Sequence, residues 1–122
     1  MQAVTRVLIV DDHEIVRKGL KLMLDRHEHF CVVGEAADVE SGLRQAEALS
    51  PDLAIVDLRL PGLDGLEMIR RLSQRMPGVR VVVLAGEAGA EAVREALRSG
   101  VGGYVLKGSP CSEIPYRPGR CP

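Results

Sequence analysis

Two stretches constrain this chain more than any others. VLIVDD (7–12) and LAIVDL (53–58) are short, continuous apolar runs with aspartate at their ends. A run apolar on both faces suits a strand covered on both sides, as in a buried parallel sheet. Between such runs lie segments with helical periodicity. HEIVRKGLKLMLDRH (13–27) spaces Ile15, Val16, Leu20, Met23 and Leu24 as one helical face. VESGLRQAEAL (39–49) is a second amphipathic helix, stopped before Pro51. LEMIRRLSQRM (66–76) is a third, closed by Pro77-Gly78, and EAVREALRSG (91–100) a fourth, with Gly100 at its cap. FCVVGEA (30–36), VRVVVLA (79–85) and GYVLK (103–107) supply further strands, and PGLDG (61–65) reads as a loop.

Strand and helix therefore alternate in crossover units. The expected fold is α/β, a doubly wound five-stranded parallel sheet with helices on both faces. The length of 122 residues predicts one domain with a real core. Aromatics make up only 2%, so aliphatic side chains must build that core. A net charge of -1 gives no global pull toward nucleic acid or membrane. No apolar run is long enough to span a bilayer, and the start carries no signal-sequence pattern. Cys31, Cys111 and Cys121 lack metal spacing and read as reduced thiols, which predicts a cytoplasmic protein.

Ligands of open parallel sheets bind beyond the carboxyl ends of the strands. Those ends carry Asp11 and Asp12, then Asp57, then Ala85-Gly86-Glu87, then Lys107. Packed carboxylates repel one another unless a cation neutralises them. Magnesium does so with one or two carboxylates and several waters. A carboxylate is also a nucleophile able to carry a phosphoryl group, and a lysine balances charge on the phosphoryl oxygens. The plainer alternative makes the acids helix caps, Asp12 for the first helix and Asp64 for the third. Four charged groups, each at a strand end, favour a site over caps.

Other features read as structure. His13, His27 and His29 show no ligand cluster and are expected at the surface, and RRLSQR (70–75) is expected to be the wet face of the third helix. Glu67 and Arg71 have the spacing of a helical ion pair. The glycines at 100, 102 and 103 lack the lysine-serine ending of a phosphate loop and read as a tight turn.

VLIVDDHEIVRKGL, IVDLRLPGLDGLE and VVVLAGEAGAEAVREALRSGVGGYVLK together resemble the receiver domain of bacterial two-component response regulators, over residues 5 to 107. The wording DDHEIVRKGL and GGYVLK is most similar to the NarL/FixJ type, whose receiver precedes a helix-turn-helix DNA-binding domain. The resemblance implies a flavodoxin-like sheet of order 2-1-3-4-5. It implies Asp57 as phosphoacceptor and Lys107 as the phosphoryl-pairing lysine. Magnesium would be held by Asp12, Asp57, the Arg59 carbonyl and, through water, Asp11. Tyr104 matches the switch aromatic, Arg59 and Glu87 the site-flanking positions, and Pro61, Gly62 and Gly65 the loop after the acceptor. Ala85 departs from the pattern, replacing the threonine or serine that turns toward the phosphoryl oxygen.

A sensor histidine kinase is the implied partner, and transcription control the implied output. The expectation is a regulatory protein with at most partial self-catalysis, rather than an enzyme. A pseudo-receiver that acts only as an interaction module is the second reading. After Lys107 the pattern stops: 108–122 holds Pro110, Pro115, Pro118 and Pro122, and Pro115 ends any helix after one turn. The expected organisation is therefore a receiver over 1–107 and an irregular tail over 108–122. The fifth helix would be truncated or absent, and the chain would lack its DNA-binding domain. The apolar surface left open favours a homodimer or other self-association.

Overall fold

The computed structural model describes residues 4–58, 65–85 and 103–106, with Ala85 and 103–106 placed by backbone alone. The elements run β1 (Thr5–Val10), α1 (Glu14–Asp25), β2 (Phe30–Ala36), α2 (Val39–Leu49), β3 (Leu53–Asp57), α3 (Gly65–Arg75), β4 (Arg80–Ala85) and β5 (Gly103–Leu106). Every pairing is parallel, and the strand order is 2-1-3-4-5. The helix expected over 91–100, the truncated fifth helix, Asp64, Cys111, Cys121 and the tail over 108–122 lie outside the described residues.

The apolar runs are central strands, as their patterning required. Val7, Leu8, Ile9 and Val10 are fully buried, as are Ala54 and Val56. Alternate residues serve opposite faces. Leu8, Val10, Ala54, Val56, Val81 and Val83 pack with α2 and α3 through Leu43, Ala46, Met68, Ile69 and Leu72. Val7, Ile9, Leu53, Ile55, Val82 and Leu84 pack with Leu20 and Leu24 of α1 on the other side. Helices therefore cover both faces, and aliphatic contacts carry the core.

Helix ends follow local chemistry. Asp38 caps α2 by accepting a hydrogen bond from the Ser41 N–H at 2.8 Å. Ser50 closes the same helix in the left-handed region, at φ 46°, just before Pro51. Asp12 does not cap α1, which goes against the plainer alternative of acids as helix caps. His13 holds the cap position and makes no side-chain capping bond, because its ring turns back to the acids before it.

The buried face of α1 is also narrower than its spacing suggests. Val16, Leu20 and Leu24 face the sheet, whereas Ile15 is 87% exposed and Met23 40%. Ile15 and Met23 lie two turns apart, on a flank rotated away from the Val16–Leu20–Leu24 line.

β2 carries an irregularity that periodicity does not reveal. Its register against β1 slips between Val7 and Leu8, so Val32 pairs with Val7 but Gly34 with Leu8. At Gly34 a Cβ would lie 2.8 Å from the Leu49 side chain, so glycine lets α2 approach this edge of the sheet.

Candidate phosphoacceptor and metal site

The carboxyl ends of β1 and β3 are adjacent. Val10 pairs with Val56, which sets Asp11 and Asp57 side by side just beyond. Both are buried, at 0% and 1% exposure, while Asp12 is exposed. Asp57 also pairs with Leu84, so β4 flanks it on the other side and ends one residue later at Ala85. Ala85 in turn pairs with Leu106, the last described residue of β5, after which Lys107 follows in sequence. Tyr104 lies in β5 opposite Val83. Arg59, Pro61, Gly62, Glu87 and Lys107 lie outside the described residues.

Asp11, Asp12 and Asp57 converge with His13. One ligand atom from each lies within 4.8 Å of every other. Their chemistry fits a hard divalent cation. Opposite ligands of an octahedral magnesium are ~4.2 Å apart, twice its usual bond length, so these carboxylates need only small shifts to share one ion.

His13 is the residue that sequence reading set aside. It is exposed, as expected, but it belongs to the cluster. Its Nδ1 lies 3.0 Å from Asp11 Oδ1 and 3.1 Å from Asp12 Oδ1. Both separations are hydrogen-bond distances, so the ring joins the two acids in one cluster. The His13 backbone N–H also donates to Asp11 Oδ1, at 2.8 Å. The signal in the sequence was adjacency alone: two residues past a strand-ending acid, the turn folds back onto it.

The main chain around the acids is tied down as well. The Asp11 N–H donates to the Ala36 carbonyl at 3.0 Å, and Leu58 N–H to the Leu84 carbonyl at 3.1 Å. Gly65, at the start of α3, donates its N–H to the Leu58 carbonyl at 3.0 Å. The ion pair expected on α3 is present, with Arg71 Nε 3.2 Å from Glu67 Oε2, and Arg70, Ser73, Gln74 and Arg75 are exposed as expected.

A parallel 2-1-3-4-5 sheet with acids gathered at its carboxyl edge defines a receiver-type α/β protein. The family model for the response regulator receiver domain matches residues 7–116, and the chain belongs to that family. It is 41% identical over 102 residues to the DNA-binding transcriptional activator DevR/DosR of Mycobacterium tuberculosis, covering 84% of this chain and 47% of that protein. It is 40% identical to the nitrate/nitrite response regulator protein NarL of Escherichia coli, covering 83% and 47%. The chain thus spans about half the length of the curated relatives it matches. Among solved structures, the signal receiver domain of the response regulator NarL from Mycobacterium tuberculosis superposes with a TM-score of 0.85 at 33% identity, over 92% of this chain and 90% of that one. The isolated receiver domain of RcsB from Salmonella enterica, determined with a phosphomimetic beryllofluoride, also gives 0.85, at 29% identity over 92% and 83%. The family is regulatory, and its members here are transcription regulators. Among the described residues no helix is long and apolar enough to cross a membrane.

Proposed function

We propose that Asp57 accepts a phosphoryl group from the phosphohistidine of a sensor kinase, and that the resulting charge controls an output. The observation that carries this reading is the buried Asp57 carboxylate beside Asp11 and Asp12 at the carboxyl edge of the sheet. An Asp57 oxygen attacks phosphorus in line; the new O–P bond forms as the P–N bond of phosphohistidine breaks, and the imidazole leaves with its electron pair. Asp11, Asp12, Asp57 and the Arg59 carbonyl are the proposed magnesium holders, and magnesium would neutralise charge on the phosphoryl oxygens. Burial excludes bulk water from the Asp57 side of the site and so strengthens each charge interaction there. Lys107, which directly follows Leu106, is the proposed cation for the remaining phosphoryl charge.

The added charge of about -1.5 to -2 biases a pre-existing equilibrium between conformations. Tyr104 and Ala85 are the proposed switch positions, flanked by Arg59 and Glu87. Residues 1–107 form the proposed receiver unit, with 108–122 as an appended tail. Self-association and transcription control are its proposed means of output, in a cytoplasmic setting. The domain contributes part of the catalysis of its own phosphorylation and dephosphorylation.

Ala85 favours the second reading, an interaction module that works without phosphorylation. It lacks the hydroxyl that would contact the phosphoryl group. Incubation with a radiolabelled small phosphodonor and magnesium separates the two. The first reading expects an acid- and base-labile label, also released by hydroxylamine as an acyl phosphate is, that disappears in Asp57→Asn. A wild-type chain that takes up no label and binds no magnesium is a pseudo-receiver.

A further inference from the structure

The turn carrying Asp11 and Asp12 is held by a chain of contacts that reaches two helices away. Arg17, on the first turns of α1, donates from Nη1 to the Asp11 carbonyl at 2.7 Å. Its Nε lies 3.2 Å from Glu35 Oε1. Glu35 is itself fixed from two sides. Lys18 Nζ lies 3.1 Å from Oε2, and Gln45 Nε2 of α2 donates to the Glu35 carbonyl at 2.5 Å. Arg17 and Glu35 are mostly buried, at 15% and 19% side-chain exposure.

We propose that Arg17, oriented by Glu35, is a positioning residue that sets the Asp11–Asp12 turn for divalent-cation binding. The proposal rests on the metal reading above. A peptide unit is planar, so fixing the Asp11 carbonyl fixes the plane that leads into Asp12. The opposite edge of Asp11 is fixed by its N–H bond to Ala36. With both edges held, the Cα–Cβ bond of Asp11 is oriented, and its carboxylate lies in one cluster with Asp12 and Asp57. The guanidinium suits this task because it is planar and rigid, with donors in a fixed fork. One plane bridges a carboxylate on β2 and a carbonyl in the turn.

The competing view is that Arg17 is merely a nearby charge. The two views predict opposite signs. A guanidinium close to the pocket repels a divalent cation, so as a simple charge its removal would tighten magnesium binding. As a positioning residue its removal loosens the turn and weakens magnesium binding. Glu35 adds a gradient. Glu35→Gln keeps an oxygen to accept from Arg17 but loses the charge, so its effect should be smaller than that of Arg17→Met.

The test titrates magnesium chloride into the full chain by calorimetry, for wild type, Arg17→Met, Arg17→Lys and Glu35→Gln. Methionine keeps the aliphatic stem and removes the donors. Losing a charge-assisted hydrogen bond to a buried carbonyl should raise the magnesium Kd roughly tenfold in Arg17→Met. Lysine keeps one cationic donor and should recover part of that loss. The amide nitrogen shift of Asp12, read by NMR without metal, should move in Arg17→Met and return toward wild type in Arg17→Lys. A folded Arg17→Met with unchanged or tighter magnesium binding overturns the proposal, while wild-type binding leaves the functional reading standing. A wild-type chain that binds no magnesium overturns the functional reading and the proposal with it. If Arg17→Met does not fold, Arg17→Lys and Glu35→Gln decide: wild-type affinity and an unmoved Asp12 shift in both overturn the proposal.

Discussion

Gly65 and Asp57 meet backbone to backbone. A Cβ placed on Gly65 would overlap the Asp57 carbonyl oxygen and lie 2.7 Å from Leu58 Cα. Neither neighbour is a flexible side chain, so the strain cannot be relieved locally. Gly65→Ala should therefore displace the end of β3 and destabilise the fold by about 1–3 kcal/mol. Its effect on the site should exceed its effect on the fold. Urea denaturation and beryllofluoride titration check this together: the variant should bind the mimic weakly even where it is fully folded.

Neutralising Asp57 should act in the opposite direction on metal-free stability. Asp11, Asp12 and Asp57 place carboxylate oxygens within 4.8 Å of one another. Two unit charges at that spacing repel by about 3 kcal/mol at an effective dielectric of 20, before His13 and Arg17 offset part of it. Asp57→Asn should stabilise the metal-free protein by about 1 kcal/mol. The same change should remove most of the stabilisation that magnesium gives wild type, about 2.7 kcal/mol at a hundredfold excess over Kd. Urea midpoints with and without magnesium chloride measure both. A variant less stable than wild type without metal would show that repulsion is not the governing force here.

Ala85 ends β4 one residue beyond the position paired with Asp57. An alanine there offers no hydroxyl to a phosphoryl group on Asp57. Phosphorylation should survive on the remaining cations and backbone donors, with weak coupling to Tyr104. Ala85→Thr should leave the extent of labelling within about twofold and enlarge the conformational response, since one added hydrogen bond is worth about 1 kcal/mol. Comparing amide shift changes in β5 on adding beryllofluoride, with and without the substitution, reads that response. Equal responses would remove Ala85 from the account of the switch.

The sheet was legible because its strands are buried on both faces, and continuous apolar runs have few other uses. The cluster of acids was legible for the related reason that acids at the ends of such runs must converge when the strands are parallel neighbours. What periodicity could not convey depends on chain direction rather than polarity. Ile15 has the same apolar character as Val16, yet only Val16 lies on the line of Leu20 and Leu24 that meets the sheet. His13 looked incidental because its role comes from a turn that folds its ring back onto Asp11 and Asp12. Arg17 gave no signal either, since its partners are a backbone carbonyl and a residue on the strand β2. The slip between β1 and β2 was equally silent, because inserting one residue leaves an edge strand's composition unchanged.

The end of α1 supplies an acid-dependent tie between helix and sheet. Asp25 Oδ2 lies 2.7 Å from Lys21 Nζ, one helical turn earlier, and Asp25 Oδ1 accepts from the Val32 N–H of β2 at 3.1 Å. The Lys21 hydrogen bond, followed by the Val32 N–H, holds the Asp25 carboxyl below its ordinary value of 3.8. The same contact, its hydrogen bond first and its charge second, raises Lys21 above 10.5. A folded-state pKa below the unfolded one means that the native protein binds fewer protons on Asp25. Its contribution is therefore complete above the ordinary carboxylate pKa and is lost as pH falls through the depressed one. Lys21 behaves oppositely, contributing fully below 10.5 and losing its contribution as pH rises through its raised pKa. Both side chains are more than a third exposed, so solvent and salt screen the pair and the effect is small. In a carboxyl NMR titration Asp25 should have its midpoint below 3.8, and 1 M salt should move it back upward. Asp25→Asn should flatten the acid limb of the urea midpoint against pH while leaving its neutral plateau nearly level. An Asp25 midpoint at or above the ordinary value would show that the helix end is not held to β2 through an ionised carboxylate.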